Sequence, residues 1–231
     1  SPARNPARED AVSSPPGRPL GGIRGPFAGF ENLRVLDFTK LLPGPYATQI
    51  LADLGCRVTK IECPYFADGA RRIPPFIDDV GSTFWMVNQG KEFLSIDFRE
   101  PAGLKRVRAL ATEADVLIEG FRPGLMDRVG LGAASLTALN PRLIYTSLTG
   151  YPEDGPWQRK AGHDLNFLAV SGFLATGGRA SSLPPTQIAD LAGSLAATAA
   201  ILAALVERGT TGRGRRVTVS MAETVHSLLS V

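Results

Sequence analysis

From Leu33 onward the chain alternates short apolar runs with helical segments, and this alternation constrains its fold more than any other feature. Leu33-Arg34-Val35-Leu36-Asp37 has the length and branched content of a short strand. Gly44-Pro45 interrupts it and opens a helix through Leu54, and Arg57-Val58-Thr59-Lys60-Ile61 is a second strand. Pro101 marks another helix start, Leu104, Val107, Leu110 and Ala111 give that helix one apolar face, and Asp115-Val116-Leu117-Ile118 follows as a strand. Leu143-Ile144-Tyr145 offers a further one. Strands alternating with helices predict an α/β domain with a mostly parallel sheet and flanking helices, binding its ligand beyond the carboxyl ends of the strands. No Gly-x-Gly-x-x-Gly follows the first strand, so a dinucleotide is not indicated.

The last third of the chain is read in the same way. An Ala-rich helix is predicted over about residues 191–206, apolar nearly all round and so buried between other elements, with Gly209 as its stop. Thr211-Gly212-Arg213-Gly214 is a turn and Val217-Thr218-Val219 a strand, and Ser220 with Glu223 three residues on is a capping box for a final helix. The uncharged run between Asp190 and Glu207 is 16 residues, against the roughly 20 that a membrane span requires, so no span is expected. Residues 225–231 are apolar and unpartnered, so their packing is expected from further chain or from a second chain.

Residues 1–29 hold few large apolar side chains and are broken repeatedly by Pro and Gly, so burial does not offset the entropy of ordering them. They are expected to form a flexible tail ahead of one domain, residues 30–231. The tail lacks the continuous apolar core of a secretory signal, which makes the cytoplasm the default location. Net charge is +3, and the first 30 residues hold four Arg against Glu9 and Asp10, which leaves the body essentially neutral. The one tight basic cluster, Arg213, Arg215 and Arg216, sits in a Gly-rich turn and reads as a solvated loop, so nucleic-acid binding is not supported. Two cysteines, Cys56 and Cys63, do not make a disulfide framework or a four-ligand zinc site, and the histidines are His163 and His226. Metal-free chemistry in a reducing compartment is expected.

The stretch that points to chemistry is Gly162-His163-Asp164-Leu165-Asn166, followed by Gln187-Ile188-Ala189-Asp190-Leu191-Ala192-Gly193. His163 and Asp190 form an acid/base pair if the intervening loop folds back. The structural alternatives are that Asp190 caps the Ala-rich helix and that His163 serves as a local hydrogen-bonding residue in its turn. Residue types and spacing leave both open.

Longer motifs add a resemblance. Leu33-Arg34-Val35-Leu36-Asp37-Phe38-Thr39, Gly44-Pro45, Leu51-Ala52-Asp53-Leu54-Gly55 and Val58-Thr59-Lys60-Ile61-Glu62 closely resemble the opening of the class III CoA-transferase (CaiB/BaiF) family. Gly90-Lys91, Glu119-Gly120-Phe121-Arg122-Pro123-Gly124, Asn140-Pro141-Arg142-Leu143-Ile144-Tyr145 and Thr211-Gly212-Arg213-Gly214 agree in the same order. Ala161-Gly162-His163-Asp164-Leu165-Asn166 looks most like the α-methylacyl-CoA racemase branch, because typical transferases carry another residue where His163 stands.

The resemblance implies a Rossmann-like α/β domain that binds CoA, read as ending before a small domain and a C-terminal return to the large one. It also implies an interlocked homodimer, with coenzyme A met as part of the substrate and no permanently bound cofactor. His163 and Asp190 match the acid/base positions of the racemases, and Asp164 is expected to orient the imidazole or hold its charged form. In transferases the position of Asp190 carries a nucleophilic carboxylate instead. By motif position Leu41, Leu42 and Pro43, then Lys91 and Ile96, then Phe121, Arg122 and Arg128 would bind CoA. Cys63 and Glu92 stand where relatives often have basic residues, and Arg71 and Arg72 are expected to compensate. Gly177-Gly178 matches a glycine-rich loop that shields intermediates. The implied activity is racemisation of 2-methylacyl-CoA thioesters, with CoA transfer between carboxylic acids as the first alternative and a noncatalytic CoA-binding subunit as the second.

Overall fold

A helix between two strands carries the chain back to where it started, so the next strand can only lie parallel to the last. The computed structural model shows this outcome over residue 23, residues 25–176 and residues 183–230, which are the residues it describes. The strands are β1 (Arg34–Asp37), β2 (Arg57–Glu62), β3 (Phe76–Ile77), β4 (Val80–Gly81), β5 (Glu92–Ser95), β6 (Val116–Glu119), β7 (Ile144–Thr149) and β8 (Arg216–Ser220). The helices are α1 (Pro43–Leu54), α2 (Ser82–Met86), α3 (Pro101–Glu113), α4 (Leu125–Arg128), α5 (Ala133–Leu139), α6 (Asp164–Val170), α7 (Ile188–Thr211) and α8 (Met221–Leu228). The main sheet runs β5-β2-β1-β6-β7-β8 with every pair parallel, while β3 and β4 form a separate antiparallel hairpin.

Strand side chains alternate between the two faces, and each face has its own core. Val35, Val58, Val116, Ile118 and Ile144 point into a cluster with α1, α6, α7 and α8. Their strand neighbours Leu36, Ile61, Leu117 and Tyr145 point the other way, against Val107 and Ala111 of α3 and Leu136 of α5. Each fully buried Ile or Leu contributes about 1.5–3 kcal/mol of transfer free energy, so the two layers hold the sheet between them.

Several boundaries differ from the sequence-based expectation for physical reasons. Helix α7 runs from Ile188 to Thr211, beyond both predicted ends. Gly209 does not stop it, and the end comes at Gly212, whose φ of 70° is the left-handed conformation that closes a helix. By length and composition α7 would suffice to cross a membrane, yet Ala189, Gly193, Ala197 and Ile201 are buried within this fold. Its approach to α8 is close enough that a β-carbon on Gly193 would lie 2.5 Å from Met221 Cγ. At the other end, residues 25–29 pack on α1 rather than continuing the flexible tail that their composition predicts. The Phe27 amide donates to the Leu54 carbonyl at 2.9 Å, and its ring lies 6.2 Å from that of Phe30. Residues 1–22 and 24 lie outside the described residues.

Candidate active site

The sheet order reverses between β1 and β6: β2 and β5 extend the sheet to one side of that pair, β7 and β8 to the other. Loops leaving neighbouring strands in opposite directions open a crevice beyond their carboxyl ends, which is where open α/β sheets bind ligands. A cleft of about 400 Å³ lies there, lined by the β1–α1 loop (Phe38 to Gly44), by Gly120 to Pro123 after β6, and by Leu148 to Tyr151 after β7. His163, Phe167 and Asp190 close it.

Two helix starts bring His163 and Asp190 into this one cleft. His163 is the N-cap residue of α6, exposed, with its backbone N–H donating to Asn166 Oδ1 at 2.9 Å. Asp190 is in the first turn of α7. Asp164, immediately after His163, is buried and turns the opposite way: its Oδ1 accepts from the Ala189 N–H at 2.6 Å and the Asp190 N–H at 3.1 Å. The capping carboxylate of α7 is therefore Asp164, not Asp190, and this corrects the expectation that Asp164 orients the imidazole. Because Asp164 occupies those helix N–H groups, they do not stabilise the charge on Asp190. Burial, followed by the negative charge of Asp164, pushes the Asp190 carboxyl up to about 7. A carboxyl so poised is half ionised near neutrality and can give or accept a proton.

This arrangement makes Asp164→Asn informative. Asparagine keeps an oxygen that accepts from the α7 N–H groups but removes the charge beside Asp190. The Asp190 carboxyl is expected to titrate at lower pH in that variant, as read by carbon-13 NMR of labelled aspartate, while far-UV circular dichroism stays unchanged. An unmoved titration would show that Asp164 does not act on Asp190 through its charge.

The residues assigned to CoA by motif position divide into two groups. Leu41, Pro43, Phe121 and Arg122 line the cleft, and Leu42 adjoins them as the N-cap residue of α1. Lys91 does not reach it. Its ammonium group is wholly buried and donates to Asp37 Oδ2 (3.1 Å), Pro45 O (3.0 Å), Thr48 Oγ1 (2.7 Å) and Asn88 Oδ1 (3.0 Å), so it has no proton to offer a phosphate. Ile96 is a core residue, 4% exposed. Arg71 pairs with Glu62 at 2.7 Å and stacks 3.8 Å from the Phe84 ring centroid, which commits its guanidinium to the fold, while Arg72 is exposed and outside the cleft lining. Arg128 is an exposed residue at the end of α4, also outside that lining. Cys63 is buried with its Sγ 3.6 Å from Asp97 Oδ1, and Glu92 is exposed. Gly177 and Gly178 lie outside the described residues.

Sequence reasoning missed Lys40 and Lys160, the cleft-lining cations besides Arg122. Lys40 Nζ donates to the Phe66 carbonyl and lies 5.9 Å from the Phe121 ring centroid, and burial lowers its pKa. Its position directly after Asp37-Phe38-Thr39 at the end of the first strand was the available signal. A second cavity of about 940 Å³ shares Arg122 and Pro123 with the cleft and contains Glu119 and Ser147. Burial pushes the Glu119 carboxyl up to about 7 against the opposing Ser147 hydrogen bond, and its Oε2 accepts from the Phe121 N–H at 2.8 Å. Among the described residues no group of three or more His, Cys, Asp or Glu side chains is placed to hold a metal ion.

Comparison with known proteins joins these features to a family. The family model described as CoA-transferase family III matches residues 30–231. Succinyl-CoA:glutarate CoA-transferase from Mus musculus is 36% identical over 214 residues, covering 86% of this chain and 49% of that protein. Alpha-methylacyl-CoA racemase from Homo sapiens is also 36% identical, over 197 residues, covering 84% of this chain and 48% of that protein. The crystal structure of a CAIB/BAIF family protein from Brucella suis superposes with a TM-score of 0.82 at 34% identity, covering 87% of this chain and 55% of that one. A hypothetical protein from Mycobacterium tuberculosis gives the same TM-score at 35% identity, covering 89% and 58%. The chain thus spans about half the length of the curated relatives it matches. With the family model matching residues 30–231 and two solved structures sharing its architecture, the chain belongs to CoA-transferase family III.

Proposed function

We propose that this chain forms the CoA-binding and acid/base part of an acyl-CoA enzyme that epimerises 2-methylacyl-CoA thioesters. The observation that carries the reading is the meeting of His163 and an Asp190 poised near neutrality in one cleft at the sheet's switch point. A proton α to a thioester carbonyl is weakly acidic, so its removal requires a base on one face, an acid on the other and stabilisation of the enolate oxygen. Neutral His163 takes the α-proton of one epimer, and the C–H electron pair passes into the enolate. Protonated Asp190 then delivers its proton to the opposite face of C2, leaving His163 charged and Asp190 ionised. Those two forms are the ones required for the reverse direction. Lys40, Arg122 and Lys160 supply positive charge for the phosphates of CoA, and Leu41, Pro43 and Phe121 supply an apolar bed.

CoA transfer between carboxylic acids is the second reading, favoured by relatives that bear transferase names. The Asp190 carboxylate would attack the donor thioester carbonyl and expel the CoA thiolate, leaving a mixed anhydride. The thiolate then attacks the Asp190 acyl carbon and releases the donor acid, and an acceptor carboxylate collects the acyl-enzyme's CoA by the same two steps in reverse.

His163→Ala distinguishes the two readings. Loss of the general base is expected to lower epimerisation by about 10²–10⁴-fold, measured by chiral chromatography of the hydrolysed product, while transfer through Asp190 persists. Full epimerisation by the variant would overturn the role given to His163.

A further inference from the structure

The β1–α1 loop that walls the cleft has an unusual backbone: Leu41 has a φ of 65°, a left-handed conformation that side-chain-bearing residues avoid. Such a conformation persists only where the surroundings enforce it. Here they do so from beneath, through a buried set of two lysines and two aspartates with no net charge. Lys60 Nζ donates to the Thr39 carbonyl at 2.7 Å and lies 3.3 Å from Asp68 Oδ2. Asp68 Oδ1 accepts from the Leu41 N–H at 2.9 Å and from the Ala70 N–H at 3.0 Å. On the other side Asp37 Oδ1 accepts from the Thr39 N–H at 2.8 Å, while its Oδ2 meets Lys91. Three backbone polar groups of the loop, the Thr39 N–H, the Thr39 carbonyl and the Leu41 N–H, thus end on buried charges. The side chains of Lys60 and Asp68 are both fully inaccessible to solvent. Burying ions costs more than packing apolar groups in the same space, so the ion pair is not explained by stability alone.

We infer that Lys60 and Asp68 are positioning residues, which hold the Thr39-Lys40-Leu41 backbone in the one conformation that presents Lys40 and Leu41 to the bound thioester. This role rests on the acyl-CoA reading of the cleft. It explains why a pair that does not itself line the cleft carries charge, and it gives the segment of residues 63–70 a function, because that segment delivers Asp68 to the loop.

The test compares Asp68→Ala, Asp68→Asn and the double replacement Lys60→Met with Asp68→Leu. Asparagine preserves the acceptor for the Leu41 N–H, alanine removes it, and the double variant exchanges the ion pair for apolar groups of similar size, a replacement that buried pairs tolerate. Amide hydrogen exchange is read across residues 38–42 and in the sheet, and CoA binding is measured by calorimetry. Asp68→Ala and the double variant are expected to lose protection over residues 38–42 while the strands keep theirs, and to bind CoA about 10-fold more weakly, the equivalent of about 1.4 kcal/mol. Asp68→Asn is expected to retain loop protection and to bind within about 3-fold of the parent. Unchanged loop exchange in the variants that fold would overturn the inference, as would equal CoA affinity in a variant whose loop has lost protection. If the parent protein binds no CoA, the acyl-CoA reading fails, and the exchange data still decide whether Lys60 and Asp68 hold the loop.

Discussion

Asp190→Asn is expected to lower turnover by about 10²–10⁴-fold whichever reaction the cleft performs. The side chain keeps its size and polarity, so the cleft retains its shape, yet an amide neither gives nor takes a proton near neutrality and does not attack a thioester. Transfer consumes only the ionised form of Asp190, whereas epimerisation that starts with proton removal by His163 consumes the protonated form. With the carboxyl held at about 7, transfer, which requires the carboxylate, should accelerate as the pH rises through that value. Protonation of an enolate by Asp190 requires the acid form and should decline over the same interval. The parent's rate from the epimer that His163 deprotonates, measured from pH 5 to 9, therefore reports the chemistry, and the Asn variant reports whether Asp190 is its source. Turnover retained within about 3-fold in Asp190→Asn would remove Asp190 from the mechanism.

Lys91→Met is expected to destabilise the fold by about 3–5 kcal/mol, the range for removing one partner of a buried ion pair. The ammonium group compensates Asp37, whose two oxygens also hold Thr39 and Thr48. Burial alone would raise the Asp37 carboxyl, but Lys60 and Lys91, together with the Thr39 and Thr48 hydrogen bonds, outweigh it and hold the carboxylate well below its ordinary range. A folded-state pKa below the unfolded value contributes stability that is present above the unfolded pKa and is lost as the pH falls. Denaturant unfolding at pH 7 and pH 3 should therefore show the parent losing part of its advantage over Lys91→Met at the lower pH. A loss below about 1 kcal/mol at pH 7 would show that the buried lysine does not compensate Asp37.

The parallel α/β architecture is legible in the sequence because its signals are local. Apolar runs such as Val116-Leu117-Ile118, Pro101 at a helix start, and the pairing of Ser220 with Glu223 all act within one turn or strand, and the Ser220 Oγ indeed accepts from the Glu223 N–H at 3.2 Å. What was not legible depends on partners distant in sequence. The start of α7 at Ile188 is set by Asp164, 25 residues before Ala189, so no spacing rule near the helix reveals its cap. Lys91 looked like a phosphate ligand because its acceptors Asp37, Pro45 and Thr48 lie 43–54 residues away. Strand β5, Glu92-Phe93-Leu94-Ser95, is four residues long at the sheet edge and only partly buried, which leaves it with little hydrophobic contrast to detect. Helix α6 was hidden for a similar reason. Gly162-His163-Asp164 reads as a turn, and its helical continuation depends on burying Phe167 and Leu168 against the far end of the chain.

In the proposed reaction His163 and Asp190 act from one cleft on the hydrogen at C2 of an acyl-CoA. The most direct measurement is deuterium uptake at C2 of a 2-methylacyl-CoA in D₂O, followed by mass spectrometry without an acceptor acid, for the parent, His163→Ala and Asp190→Asn. Uptake from both epimers is expected of the parent, and each variant is expected to lose uptake from the epimer whose proton the replaced residue removes. Absence of uptake by a folded parent that binds CoA would contradict the proposed reaction and leave transfer through Asp190 as the reading to pursue.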